Sequence, residues 1–349
     1  MQAIVKSTPA YGISVEDVPE PAIGPGEVRV EVQAAAICGA DLKLYKWDPQ
    51  VVAKWARLRE MQLPHIIGHE IAGTVVETGK DVVGIQVGDR IAAETHFPCG
   101  TCTLCLSDRI HLCRQRRILG FDTPGGFARY VVLPECCAIK LPECLSFEAG
   151  ALCEPFGVAA HAIQQAELSA DESAWIIGCG PIGLFIIQLL AMAGVEKILA
   201  TDTQPQRLDW ARKLGAVPVP SGPDIVEQII DMTGGDGAAM VFEVVGSPTT
   251  VQQALAAVAP AGRVLLVGTF GGTTPLDIAT DIIYRETTVR GVYGRHMFDT
   301  WQWIHELLSS GSIELESCIS NRYHFSEATE GFEAALRGDG FKTVLIPDN

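Results

Sequence analysis

The chain reads as an α/β protein of two domains, a β-rich unit and a unit built on a doubly wound parallel sheet. Three observations predict this. Residues 1–155 carry short β-like runs broken by Gly and Pro, residues 156–298 alternate apolar runs with helical stretches, and residues 299–349 change pattern again. A length of 349 residues is enough for two separate cores. The balance of 48% hydrophobic to 19% charged residues is that of an ordered globular chain.

The first domain rests on Glu27–Val32, Ala72–Glu77 and Phe127–Val132, whose spacing predicts a compact, mostly antiparallel β unit. After Pro155 the apolar run Ala174–Gly178 precedes a helix from Pro181. Lys197–Asp202 leads into a second helix through Leu208 and Leu214. Met240–Val245 and Arg263–Gly268 repeat the theme. Such alternation builds βαβ units and a parallel sheet. Beyond residue 298 come an amphipathic helix (Phe298, Trp301, Ile304, Leu307 and Leu308 on one face), a strand over Ile319–Phe325, another helix, and a terminal strand Lys342–Ile346. This tail is expected to rejoin the first domain and make it discontinuous, as 1–155 with 299–349.

A net charge of −16 argues against nucleic-acid or anionic-membrane partners, which need a basic face. Met1–Lys6 runs straight into a β-like segment with no signal-peptide pattern, and no apolar stretch approaches the ~20 residues of a membrane span. Eleven cysteines without an export signal predict a reducing, cytoplasmic compartment.

Cys99, Cys102, Cys105 and Cys113 fall within fifteen residues. Four thiolates that close can complete a tetrahedral shell around one Zn²⁺ with no position left for chemistry, so this site is structural. The competing reading is a set of buried or disulfide-bonded cysteines.

Gly178-Cys-Gly180-Pro181-Ile182-Gly183 follows an apolar strand and opens a helix, the context that a dinucleotide fingerprint requires. Gly178 serves the tight turn, Gly180 the approach of a pyrophosphate, and Gly183 close helix–sheet packing. The helix start adds N–H groups and a positive dipole end. Asp202 ends the next strand nineteen residues after Gly183, where a carboxylate accepts from both ribose hydroxyls and repels a 2′-phosphate. NAD is therefore expected over NADP, with Arg207 packing against the adenine or ribose.

Cys38, His69, Glu70 and Glu154 supply a thiolate, an imidazole and two carboxylates for a catalytic zinc, which keeps a position open for substrate. Asp41, three residues from Cys38, is placed to orient a ligand. Taken singly, each of these residues reads equally as a core or turn residue.

Together, Cys-Gly-x-Asp, Gly-His-Glu, the cysteine lobe, Glu-Pro and GxGxxG resemble the zinc-containing medium-chain dehydrogenases over essentially the whole chain. Ile37–Asp48, Glu94-Thr-His96 and Gly291–Trp301 are similar to the branch of L-threonine 3-dehydrogenases and polyol dehydrogenases. The resemblance implies a groES-like β domain joined to a Rossmann domain, with the active site between them, in a tetramer or dimer. It implies catalytic zinc on Cys38, His69 and Glu154, with Glu70 a ligand or close neighbour, and structural zinc on the four cysteines. Zinc would stabilise the substrate alkoxide and hydride would pass to NAD, whose carboxamide would meet backbone near Val267–Thr269 and Val292–Tyr293. His96 ranks first as a substrate contact.

Three positions depart from the family pattern. Ala40 stands where Ser or Thr is usual, Lys43 where His is frequent, and Val158 where threonine dehydrogenases carry Asn. The first two normally pass the alcohol proton to solvent, which leaves a water, Glu70, His96 or Lys43 to do so. An insertion over Gln50–Gln62 separates Cys38 and His69 by thirty-one positions. These departures favour a polyol or sugar-type secondary alcohol, with L-threonine the alternative and a non-catalytic nucleotide-binding relative a remote third reading.

Overall fold

The computed structural model describes residues 1–47, 61–269 and 273–348. Asp48, and residues 50–60 of the expected insertion, lie outside the described residues. The chain divides into two compact units, Met1–Pro155 with His296–Asn349, and Phe156–Arg295.

In the first unit a seven-stranded sheet runs in the order Ala138–Lys140, Arg90–Ala93, Glu70–Thr78, Glu27–Ala36, Lys342–Ile346, Ile319–His324, with Tyr130–Pro134 also paired to Glu27–Ala36. Strict alternation in Glu27–Val32 buries Val28, Val30 and Val32 on one face. The terminal strand pairs antiparallel with the same strand, Val344 opposite Ala36. Helix Ala328–Arg337 buries Phe332, which stacks on Tyr45 and meets Phe127 edge-on. Helix Asp299–Ser309 buries Trp301, Ile304 and Leu308 as the periodicity predicts, but Phe298 stands before it at φ +76°, off the expected face. Glu154 and Pro155 lie inside helix Phe147–Ala166 rather than in a turn.

The second unit is a six-stranded, wholly parallel sheet. Its order is Val217–Pro218, Lys197–Thr201, Ser173–Ile177, Ala238–Glu243, Val258–Leu266, Thr288–Gly291. Numbered along the chain that is 3-2-1-4-5-6, the Rossmann arrangement, whose strand order reverses between Ser173–Ile177 and Ala238–Glu243. Trp175, Ile177, Val241 and Val264 are buried on these central strands, as expected of a sheet covered on both faces. No helix among the described residues is long and apolar enough to cross a membrane.

Candidate active site

The cysteine lobe has the dimensions of a zinc shell. Sulfur–sulfur separations are 3.5 Å for Cys102–Cys105, 3.8 Å for Cys102–Cys113 and 3.9 Å for Cys99–Cys105. A tetrahedron with Zn–S of about 2.3 Å has edges of about 3.8 Å. Backbone N–H groups of Cys102 and Cys99 point at the sulfurs of Cys99 and Cys113, each at 3.4 Å, the donors that thiolates attract. All eleven cysteines are free thiols, so the disulfide reading falls away.

The second cluster is built from two elements. Cys38 caps helix Gly39–Lys46, and its N–H donates to the Asp41 carboxylate one turn on, at 2.9 Å. His69 precedes strand Glu70–Thr78, and its Nδ1 lies 3.6 Å from Asp41 Oδ1. A carboxylate beside Nδ1 leaves Nε2 to face a metal. Ligand atoms of Cys38, His69 and Glu70 all lie within 4.8 Å of one another, a soft, borderline and hard donor set that fits zinc.

Glu70 does not stand alone. Lys342, buried on the terminal strand, places Nζ 2.8 Å from its Oε1 and 2.6 Å from its Oε2, and donates also to the Ile37 carbonyl at 2.9 Å. Burial pushes the Glu70 carboxyl up to about 7, against the pull of the Lys342 ammonium and with a further push from Glu154. Burial likewise raises the Cys38 thiol. Burial works to lower His69, yet Asp41 and Cys38 hold it well above the ordinary imidazole value. Glu154 is buried and accepts from Thr95 Oγ1 at 3.3 Å, but it lies outside the group of three converging ligands.

Thr95 belongs to Glu94-Thr-His96, which the structure ties to the Gly291–Trp301 stretch. Trp301 Nε1 donates to Glu94 Oε2 at 2.8 Å, while Glu94 Oε1 accepts from His96 N at 2.9 Å and lies 3.3 Å from His96 Nδ1. Glu94 is fully buried. Two stretches that are far apart in sequence thus form one device holding the His96 ring. Ala40 packs against the core of this unit and offers no hydroxyl; Lys43 is half-buried on the same helix.

In the second unit Gly178 adopts φ +102°, and a Cβ on Gly183 would stand 1.9 Å from the Gly178 carbonyl oxygen. A Cβ on Gly180 would meet no protein atom within 4 Å, so that space is open to a phosphate. Gly180 caps helix Pro181–Met192 without a side-chain cap, with Ile182 following Pro181 in its first turn. Asp202 Oδ2 accepts from Cys179 N at 2.8 Å and stands 3.6 Å from Arg207 Nη1; Oδ1 accepts from Gln204 N at 2.8 Å. Arg207 therefore meets the Asp202 carboxylate within the protein, a contact the expectation of adenine packing did not include. The N–H groups of Val267 and Val292 are taken by the Glu243 and Leu266 carbonyls, each at 2.9 Å, so a carboxamide at these residues would meet carbonyls rather than N–H groups. Thr269 and Tyr293 sit beside them in sequence, the first exposed and the second half-buried.

Lys342 and the role of Trp301 escape sequence reasoning. The signal for Lys342 is a single charge opening an otherwise apolar terminal strand.

Residues 24–143 match the alcohol dehydrogenase GroES-like domain, and residues 181–310 match the zinc-binding dehydrogenase family. The chain is 39% identical over 349 residues to the L-threonine 3-dehydrogenase of Bacillus velezensis, covering 99% of each chain. Among solved structures it is similar to an alcohol dehydrogenase from Thermus sp. ATN1, at TM-score 0.90 and 29% identity over 100% of both chains. It is also similar to the 2R,3R-butanediol dehydrogenase of Bacillus subtilis, at TM-score 0.87 and 31% identity over 99% of both.

Proposed function

The chain belongs to the zinc-binding alcohol dehydrogenase family, oxidoreductases that act on CH–OH groups with zinc and a nicotinamide dinucleotide, and we propose that its substrate is L-threonine, oxidised at the 3-hydroxyl with NAD as acceptor. The observation that carries this reading is end-to-end identity of 39% with an enzyme of that name. It outweighs the polyol expectation, which rested on Ala40, Lys43 and Val158.

Cys38, His69 and Glu70 would hold the catalytic zinc, with Glu154 near enough to push the Glu70 carboxyl up but outside the converging group. Zinc, when bound, supplies Lewis acidity that makes an alcohol a stronger acid. Asp41 orients His69, and Lys342 offsets the charge of Glu70 so that a buried thiolate and carboxylate can coexist. Glu94 holds the His96 ring, which contacts the substrate and takes over the proton route that Ala40 cannot serve. Asp202 accepts the ribose hydroxyls and disfavours a 2′-phosphate.

Two further readings accompany it. Free thiols throughout support a reducing, cytoplasmic setting. Strand Thr288–Gly291 ends the parallel sheet among the described residues, with Ile283, Tyr284 and Val289 exposed nearby, which supports a homo-oligomer joined along that edge.

NADH production compared across L-threonine, C4–C6 polyols, sugar acids and 2,3-butanediol tests the substrate. Threonine should give the highest kcat/KM. A polyol exceeding it would restore the reading based on Ala40 and Lys43.

A further inference from the structure

We propose that Glu243 is a positioning residue for the dinucleotide, fixing the turn that joins the fingerprint loop to the strand end where the nicotinamide is expected. The proposal rests on the dinucleotide site alone and stands whichever alcohol is the substrate.

Glu243 ends strand Ala238–Glu243, opposite Ile177, at the point where the strand order of the sheet reverses. Ligands of open parallel sheets bind outside the carboxyl ends of the strands at such a point. The side chain is fully buried. Its Oε1 accepts three hydrogen bonds, from Val245 N at 3.0 Å, Gly246 N at 2.8 Å and Thr250 Oγ1 at 2.8 Å. Its backbone carbonyl accepts two more, from Val267 N at 2.9 Å and Gly268 N at 3.0 Å. One residue therefore ties down two of the loops that emerge from this end of the sheet.

The turn it holds has no slack on either side. A Cβ on Gly178 would lie 2.7 Å from Val245 Cγ2, so the turn abuts the fingerprint loop. On the other side a Cβ on Gly268 would lie 2.2 Å from Gly246 N, and one on Gly246, at φ +77°, would lie 2.7 Å from the Thr269 carbonyl. A shift of the 244–247 turn must displace either the Gly178 loop or the 267–269 segment. Both are parts of the dinucleotide cradle, so the geometry of Glu243 is passed to the cofactor at both ends.

The bonds to Oε1 require an oxygen at that place, not a charge. Glutamine provides one with the same reach, and alanine leaves the Val245 and Gly246 N–H groups without that acceptor and returns the Thr250 hydroxyl to its other acceptor, the Ser247 carbonyl at 3.0 Å. Glu243→Ala is thus expected to raise the NADH dissociation constant, read by fluorescence titration, and the KM for NAD by roughly tenfold or more, with kcat at saturating NAD changed only a few-fold. Glu243→Gln should stay within about threefold of the native values. Thr250→Val, which removes one donor and leaves the carboxylate, should fall between them. Should Glu243→Ala fail to fold, Gly246→Ala, which forces the same turn against Thr269, should copy the loss of NADH affinity. Equal weakening by Glu243→Gln and Glu243→Ala would overturn the proposal in favour of a charge effect. A lowered melting temperature with unchanged NADH affinity in Glu243→Ala, or in Gly246→Ala, would reduce the residue to a structural one.

Discussion

Trp301 Nε1 donates to Glu94 Oε2 at 2.8 Å, a bond that spans 207 positions of the chain and closes over a carboxylate with no exposure. The other oxygen of Glu94 serves His96. A helix near the C-terminus thereby sets the ring orientation of a histidine in the β-rich unit.

Trp301→Phe keeps the aromatic packing and removes one donor to a buried carboxylate. The expected cost is about 1–3 kcal/mol of stability. Because Glu94, the partner of His96, loses its tie to Trp301 and holds the ring less firmly, KM for threonine should rise roughly tenfold while NADH affinity holds. Steady-state kinetics beside NADH titration separate the two effects. A fall in melting temperature without any change in substrate KM would detach His96 from substrate recognition.

Lys342 offers the next test. Its ammonium sits against both oxygens of Glu70, and removing one partner of a buried pair leaves the other uncompensated. Lys342→Met should destabilise the first unit by about 3–5 kcal/mol and loosen the zinc expected on Cys38, His69 and Glu70 by roughly 10- to 100-fold. Lys342→Met combined with Glu70→Gln should recover most of the stability, because the orphaned charge is gone. Chelator titration and thermal melts check both. Undiminished zinc affinity in the single variant would mean that the pair serves folding alone.

Most of the fold was legible because its signals are local. The Gly178–Gly183 fingerprint, the strands around it and the four-cysteine spacing each occupy one short window of sequence. The Trp301–Glu94 and Lys342–Glu70 contacts were not legible as contacts, since each joins residues more than 200 positions apart. Their buried charges carry no period of their own, and Lys342 looks like the solvated end of a strand until its neighbours are known. The same limit bears on the substrate, where the relatives favour the alternative reading, L-threonine, over the polyol. Ala40 and Lys43 are visible as single departures, whereas agreement along the whole chain is not visible in one sequence.

The cysteine lobe and the Cys38–His69–Glu70 cluster together predict two zinc ions per chain with different behaviour. Cys102→Ser opens a closed shell whose metal is coupled to local folding, so elemental analysis should fall from two zinc ions towards one and the melting temperature should drop. Cys38→Ser should spare stability and NADH binding yet abolish turnover. One zinc or fewer in fully active native protein would sink the two-site assignment.

Cofactor choice turns on Asp202, whose two oxygens already accept from Cys179 N and Gln204 N while Arg207 stands 3.6 Å away. A carboxylate retains lone pairs beyond those two bonds, so it can also receive the ribose hydroxyls, and its charge repels a 2′-phosphate. Asp202→Ala removes the acceptor and the repulsion together. It also releases Arg207, which then becomes a cation in reach of a phosphate at that position. The ratio of kcat/KM for NAD to that for NADP should therefore fall by at least about tenfold, partly through a gain with NADP. Asp202→Ala with Arg207→Ala should lose the NADP gain and keep the NAD loss. Equal use of NAD and NADP by the native protein would place Asp202 away from the ribose and leave its carboxylate a loop-holding role only.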